Sequence, residues 1–334
     1  MDKNLHVVYA SDDRFAEILG VSLTSLYESN KSMEQIHVYV LDSKISEENK
    51  KKLKSLSRAY ERSDVRCIPA KDISEELHMD IAVDRGSLSQ YARLFISSVL
   101  PENLEKVLYL DCDIIIRQSL DELWNLDMHG KTIAALKDAF SKWYRMNIDL
   151  KPKDIMFNSG VMLINLKRWK VQKVEKDLLR FIGSKNGKIQ QGDQGALNAV
   201  LSHDTYCFEP RFNSVTIYYD FSYKEMLVYR KPPEFYSEKQ IKKAIENPVI
   251  IHFTTSFLSR RPWVEGCQHR YACEWMKYKS MGPWRDTPLW QNKKSTGIRG
   301  VYIRLAGKLP RKLTVSISGF LQAYGRPVLN RITR

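Results

Sequence analysis

The stretch that decides the fold is Val107-Leu108-Tyr109-Leu110-Asp111-Cys112-Asp113-Ile114-Ile115-Ile116. Four apolar or aromatic residues before Asp111 and three isoleucines after Asp113 read as one strand over 107–116, buried on both faces as in the parallel sheets of α/β proteins. Two carboxylates one residue apart in such a run need a counter-charge, because an acid among apolar side chains is costly and like charges repel. Hard oxygen ligands point to Mg²⁺ or Mn²⁺, ions that commonly carry the phosphates of a nucleotide or nucleotide-sugar. The competing reading has Asp111 capping the strand and Asp113 facing solvent.

Outward from this run, strand and helix signals alternate. Apolar alternation predicts strands over 5–10, 36–41 and 65–68, with helices over 15–29 and from Ser46 toward Tyr60 between them. This βαβαβ succession implies a doubly wound, mostly parallel sheet flanked by helices, in which ligands bind beyond the carboxyl ends of the strands. A helix is expected over 88–100, stopped by Pro101, and further strands over 132–136, 157–166 and 248–253. Residues 190–195 open a helix running to Leu201, and 209–247 reads as irregular structure with one surface helix. Asp12, Asp111, Asp113, Asp138 and His252 all fall at predicted strand ends, and imidazole beside carboxylates suits a borderline ion such as Mn²⁺. No glycine-rich dinucleotide fingerprint follows the first strand, which argues against NAD or FAD.

Length and composition fit one large domain: 334 residues, 43% hydrophobic and 28% charged. Five scattered cysteines, an odd number, are expected to be reduced. With no secretory signal at the start and no apolar run long enough to span a bilayer, the chain is expected in the cytoplasm. The formal net charge of +14 is uneven, since residues 291–334 hold ten Lys or Arg and no acid. In that tail Ile298, Val301, Tyr302 and Leu305 recur at helical spacing, and a second mixed segment carries Leu313, Val315, Ile317, Phe320, Leu321 and Tyr324 beyond Pro310. A basic amphipathic tail over 286–334, appended to a catalytic domain over 1–285, is therefore expected to lie on the inner face of an anionic membrane. A terminal helix packed on the domain is the plainer alternative. Nucleic acid is excluded as a partner because the basic excess is confined to the tail, with no base-reading or stacking motif.

Several blocks together resemble one family. They are Ala10-Ser11-Asp12-Asp13, Tyr91-Ala92-Arg93-Leu94, Lys106 to Asp113, Phe157-Asn158-Ser159-Gly160 through Leu166, Gly192-Asp193-Gln194-Gly195, and His252-Phe253 to Arg261-Pro262-Trp263. Their order over 5–265 is similar to that of the retaining glycosyltransferases of family 8, which share the GT-A fold. The resemblance implies a UDP-hexose donor, galactose or glucose, and a glycan or lipid-linked oligosaccharide acceptor in surface polysaccharide synthesis. It implies that Asp111, Asp113 and His252 hold Mn²⁺, with Mg²⁺ the alternative, against the UDP diphosphate. Ala10 and Asp12 would touch uracil and ribose, with Ser11, Cys112, Asn158 and Arg261 in the same donor-binding set. Arg93, Asp138, Asp193 and Gln194 would form the catalytic group around the transferred sugar, Gln194 beside the anomeric carbon. In this sequence Thr255 stands where the family pattern has Gly, and 256–260 lengthen the loop, so whether Arg260 or Arg261 meets the diphosphate is open. The role of Arg14 is open too.

Two rival readings compete with this one. A haloacid-dehalogenase-type phosphatase also places Asp-x-Asp after an apolar strand, but such enzymes carry it near the domain start and have no place for His252 or Arg261-Pro262-Trp263. A non-catalytic nucleotide- or glycan-binding protein at the membrane is disfavoured by the complete ligand set.

Overall fold

A computed structural model describes residues 2–82, 87–256, 258–292 and 309–333. Its strands are β1 (Asn4–Asp12), β2 (Gln35–Ser43), β3 (Arg66–Pro69), β4 (Lys106–Leu110), β5 (Ile114–Ile116), β6 (Ile133–Lys137), β7 (Phe157–Asn165), β8 (Thr205–Cys207), β9 (Ser214–Val215) and β10 (Ile250–His252). Seven form one sheet in the order β3-β2-β1-β4-β7-β6-β8, and β5, β10 and β9 form a second, smaller one. In the large sheet β7 runs antiparallel to β4 and β6, and the other neighbours are parallel. This is the α/β architecture that the alternating strand and helix signals imply.

Both faces of the large sheet are covered, and the pleat sorts its side chains. Leu5, Val7 and Tyr9 of β1 join one apolar cluster while Val8 joins the other, as a period of two requires. Helix Ala16–Ser29 packs between β5 and helix Ala272–Met281, and almost its whole length is buried. Helix Glu47–Ala59 shows only Leu53, Leu56 and Ser57 to the core and starts where Ser46 Oγ accepts from Asn49 N–H at 3.3 Å. That cap satisfies one of the helix's otherwise orphaned amide groups.

The expected single strand over 107–116 is two strands in different sheets. β4 ends at Leu110, and β5 resumes at Ile114 in the small sheet. An apolar run looks the same in either sheet, so the break was invisible until the pairing partners were known. The helix expected over 88–100 is a 3₁₀ segment, Leu88–Phe95, followed by a single α turn, Ile96–Val99. Residues 209–247 are more regular than expected, with β9 and helices Ile217–Asp220, Tyr223–Arg230 and Glu238–Glu246. Two of those helices begin with capping boxes, Ser222 with Glu225 and Ser237 with Gln240.

The stripe of Ile298, Val301, Tyr302 and Leu305 lies outside the described residues. Beyond it, helix Arg311–Phe320 leads through a π turn, Leu321–Gly325, into helix Arg326–Thr333. This segment packs on helix Tyr223–Arg230 and on helix Lys142–Met146. Among the described residues no helix is long and apolar enough to cross a membrane.

Candidate active site

The break between β4 and β5 is where the site is built. Asp111 and Asp113 occupy the turn that passes the chain from the large sheet to the small one. Antiparallel pairing of β5 with β10 sets His252 opposite Ile114, and Phe253 N–H donates to the Asp113 carbonyl at 2.9 Å. On the other side, pairing of β4 with β7 continues as Asp111 N–H donating to Gly160 O at 2.7 Å. Backbone register alone thus gathers residues 111, 113, 158–160 and 252.

One oxygen each of Asp111 and Asp113 and a ring nitrogen of His252 lie within 4.8 Å of one another. The Nε2 of His252 is 3.1 Å from Asp113 Oδ1 and 3.8 Å from Asp111 Oδ2. Its tautomer follows from a chain of hydrogen bonds. Asn158 bonds the Asp138 carboxyl with its side chain, while its Oδ1 accepts from Gly160 N–H at 3.1 Å and Asn213 Nδ2 at 2.9 Å. That leaves Asn213 Oδ1 facing His252 Nδ1 at 3.0 Å, so Nδ1 carries the hydrogen. Nε2 then faces two carboxylates at a position that a proton fills or a divalent cation would take in its place, and the outer partner fixes the ring's orientation.

Gly160 supplies a second sign of fit. A Cβ there would fall 2.2 Å from His252 Cε1 and 2.8 Å from Asp111 Oδ2, so any side chain would fill the cradle. Two carboxylates and one imidazole are a donor set that Mn²⁺ accepts, and Mg²⁺ would favour the oxygens.

Arg93 ties the cluster to its surroundings. Buried to 7% exposure, it pairs with Asp111 at 2.9 Å and Asp193 at 2.9 Å and donates from Nη1 to Ser159 O at 2.9 Å. The two carboxylates outweigh the desolvation of its guanidinium and keep it charged. Burial pushes the Asp193 carboxyl up to about 6 despite Arg93 beside it. Burial also raises the Asp138 carboxyl, with Arg230 and Asn158 opposing the rise. For Asp113 burial acts the same way, but His252 and Arg261 win and hold it below the usual carboxylate range.

These groups share a cavity of about 670 Å³ lined by Arg93, Asp111, Asp113, Asp138, Asn158, Asp193, Gln194, His252 and Arg261, within the roughly 300–1,000 Å³ usual for small-molecule sites. Gln194 sits in the first turn of helix Gly192–Leu201, after Gln191 at φ 71° and Gly192 at φ 58°. Its Oε1 accepts from Ser159 N–H at 3.2 Å. Arg261 faces inward, 3.1 Å from Asp113, while Arg260 donates outward to Glu265 O at 3.2 Å. Arg14 stacks over the Trp290 ring at 4.5 Å.

Ala10, Ser11, Asp12 and Cys112 lie beside this cavity and are not among its lining residues. The Cys112 thiol donates to Ala10 O at 3.2 Å, which links the end of β1 to the Asp-x-Asp turn, and Asp12 Oδ1 caps the following turn through Phe15 N–H at 3.1 Å. Residues that sequence reasoning missed include Ser159, Asn213, Tyr229, Arg230, Gln322 and Arg326. A Tyr-Arg pair ending a surface helix and an Arg sixty-odd residues beyond the last recognisable block carry no motif that could have flagged them.

The fold and cluster define an α/β protein with a candidate metal site in a cavity, and comparison with known proteins fixes the family. The chain belongs to glycosyl transferase family 8, whose model matches residues 6–266. General stress protein A of Bacillus subtilis (strain 168) is 28% identical over 289 residues, covering 85% of this chain and 96% of that protein. The lipopolysaccharide 1,2-glucosyltransferase of Escherichia coli (strain K12) is 24% identical, covering 84% and 79%. Among solved structures, galactosyltransferase LgtC in complex with donor and acceptor sugar analogues aligns with a TM-score of 0.70 at 24% identity, over 84% of this chain and 96% of that one. That likeness establishes the mixed, mostly parallel GT-A sheet. Family membership makes the chain a glycosyltransferase and removes the phosphatase reading.

Proposed function

We propose that the protein is a retaining hexosyltransferase that moves galactose or glucose from a UDP-sugar to a glycan or lipid-linked oligosaccharide acceptor, with Mn²⁺ at Asp111, Asp113 and His252. The observation that carries this reading is the cluster's position in one cavity with Arg93, Asp193 and Gln194. A divalent ion bound there supplies Lewis-acid stabilisation of the charge that develops on the leaving diphosphate.

The chain's own residues account for the rest. Arg261, 3.1 Å from Asp113, is assigned to the diphosphate, where a guanidinium can hold two phosphate oxygens. Asn213 holds the His252 ring by its Nδ1 side and leaves Nε2 for the ion. As the sugar–phosphate bond lengthens, positive charge grows at C1, and the buried Asp193 carboxylate and the Gln194 amide oxygen stabilise it. An amide is a weak nucleophile, so front-face substitution through a short-lived ion pair suits Gln194 better than a stable covalent intermediate. Ala10, Ser11, Asp12 and Cys112, at the end of β1, are assigned to the uracil and ribose, and Asp138 and Asn158 to the hexose.

Residues 286–334 are assigned to contact with the cytoplasmic face of an anionic membrane. Helix Arg311–Phe320 and its continuation expose Leu313, Ile317, Phe320, Leu321, Val328, Leu329 and Ile332 beside the exposed Arg311, Lys312 and Arg331. Such a pairing of apolar and basic surface binds anionic lipid. The lipopolysaccharide enzyme among the relatives is consistent with a membrane-borne acceptor.

The test is UDP release from a panel of UDP-sugars with Mn²⁺. UDP-galactose or UDP-glucose should be turned over, and silence with every donor would sink the proposal. Sedimentation with phosphatidylglycerol vesicles but not with phosphatidylcholine vesicles tests the membrane assignment, and equal pelleting with both overturns it.

A further inference from the structure

The family match ends at residue 266, yet the cavity has a wall from well beyond it, because Gln322 and Arg326 line the same space as Asp193 and Gln194. We propose that the segment Arg311–Thr333 forms the acceptor-side wall of the catalytic cavity, with Gln322 and Arg326 meeting the incoming glycan and keeping water from the donor's C1. This rests on the donor reading above.

The segment is seated by specific contacts. A Cβ on Gly319 would fall 2.6 Å from Val228 O and 3.0 Å from Tyr229 Cα, so the two helices meet backbone to backbone at a point only glycine permits. At one end Arg311 donates to both oxygens of Glu225 at 2.7 and 3.0 Å and to Asp220 O at 2.6 Å. In the π turn Ala323 O accepts from Ser141 Oγ at 2.7 Å, and further on Pro327 O accepts from Asn147 Nδ2 at 2.8 Å. Gln322 Nε2 donates to Tyr144 Oη at 2.9 Å, which fixes the amide's direction.

The chemistry of this end of the cavity differs from that of the metal end. Asp111, Asp113, His252 and Arg261 account for a diphosphate and its ion. Phe140, Tyr229, Arg230, Gln322 and Arg326 bring aromatic rings, an amide and two guanidinium groups, and Arg230 lies 5.0 Å over the Phe140 ring. Flat apolar faces rimmed by hydrogen-bond donors suit a sugar ring and its hydroxyls. A glycosyl donor must also be kept from water. In hydrolysis the C1–O bond to the diphosphate breaks with its electron pair leaving on UDP, water oxygen bonds C1, and the spare proton passes to solvent. In transfer an acceptor hydroxyl takes the place of that water. A wall over C1 therefore sets the balance between the two.

The experiment measures UDP release from UDP-galactose and UDP-glucose with Mn²⁺ and no acceptor, in the full chain and two full-length variants. Gly319→Val wedges the segment off its helix and should raise hydrolysis on the order of tenfold. The double variant Gln322→Ala/Arg326→Ala gives up the Gln322–Tyr144 hydrogen bond but keeps the Gly319, Arg311, Ala323 and Pro327 contacts, and should raise it by about threefold. General damage to the fold would lower the rate, so a rise is not a symptom of instability. If Gly319→Val does not fold, the double variant decides. A working parent with unmoved or slower variants overturns this inference alone. A parent that releases no UDP from either sugar overturns the donor reading and this inference together.

Discussion

Asp111, Asp113 and His252 are placed by backbone register, whereas Gln322 and Arg326 are placed by side-chain docking of a separate segment. The first group hangs on β4, β5, β7 and β10, whose ladders cannot slip without turning apolar side chains outward. The second depends on one glycine contact, the burial of Val315 and Ala323, one ion pair and a few hydrogen bonds. The difference shows how this fold divides its labour. The proposed metal ligands hang on strand ends, where register fixes them, whereas the segment proposed to meet the acceptor is docked from outside the sheets.

Changes in the register-built region should have the largest effects. Asp113→Ala removes a metal ligand and should cut Mn²⁺-dependent UDP release by at least on the order of 10²–10³-fold. Full activity in that variant with EDTA present would refute the metal assignment. Asn213→Ala acts one shell out by freeing the His252 ring, and Mn²⁺ affinity measured by calorimetry should fall by roughly 10–100-fold. An unchanged affinity would mean that the Asp138–Asn158–Asn213 chain does not set the tautomer.

A pH profile sharpens the same comparison. Asp193 titrates near 6 because burial raises its carboxyl above the usual range. It is ionised above that pH and neutral below it. Turnover should therefore fall with an acid limb near pH 6, by up to about tenfold per unit, and Asp193→Asn should be slow and lack that limb. A limb of the same position in the variant would assign it to another group. The smallest effect is expected in the docked region. Arg311→Ala removes an ion pair to Glu225 whose arginine side is exposed, and its cost to stability should be about 1 kcal/mol by denaturant titration. A loss of several kcal/mol would make the segment as integral as the sheets.

Much of this architecture could be read from the chain. The apolar patterns at 5–10, 36–41 and 157–165 fold as strands of a sheet covered on both faces, and Asp-x-Asp within an apolar run demands a counter-charge. The family blocks singled out Asp111, Asp113 and His252, and the structure brings these three together. Where reading failed, the missing information was a pairing partner. Ile114-Ile115-Ile116 is equally apolar in either sheet, so the switch that shapes the site left no trace in hydropathy. The 209–247 stretch hid its regularity in short elements, although Ser222-x-x-Glu225 and Ser237-x-x-Gln240 signal two helix starts. Asn213 belongs to no motif, and its role exists only because β9 lies beside β10.

Sequence by itself determined the α/β class, the acid pair that needs a cation, and a basic, partly apolar C-terminal region, because each of these is a local property of composition and period. Only the tertiary structure decided that His252 faces Asp113, that Arg261 rather than Arg260 turns inward, and that residues 322 and 326 reach the cavity. Those are contacts between segments far apart in the chain, fixed by strand register and by the close approach at Gly319, and no local pattern encodes a distance across the fold.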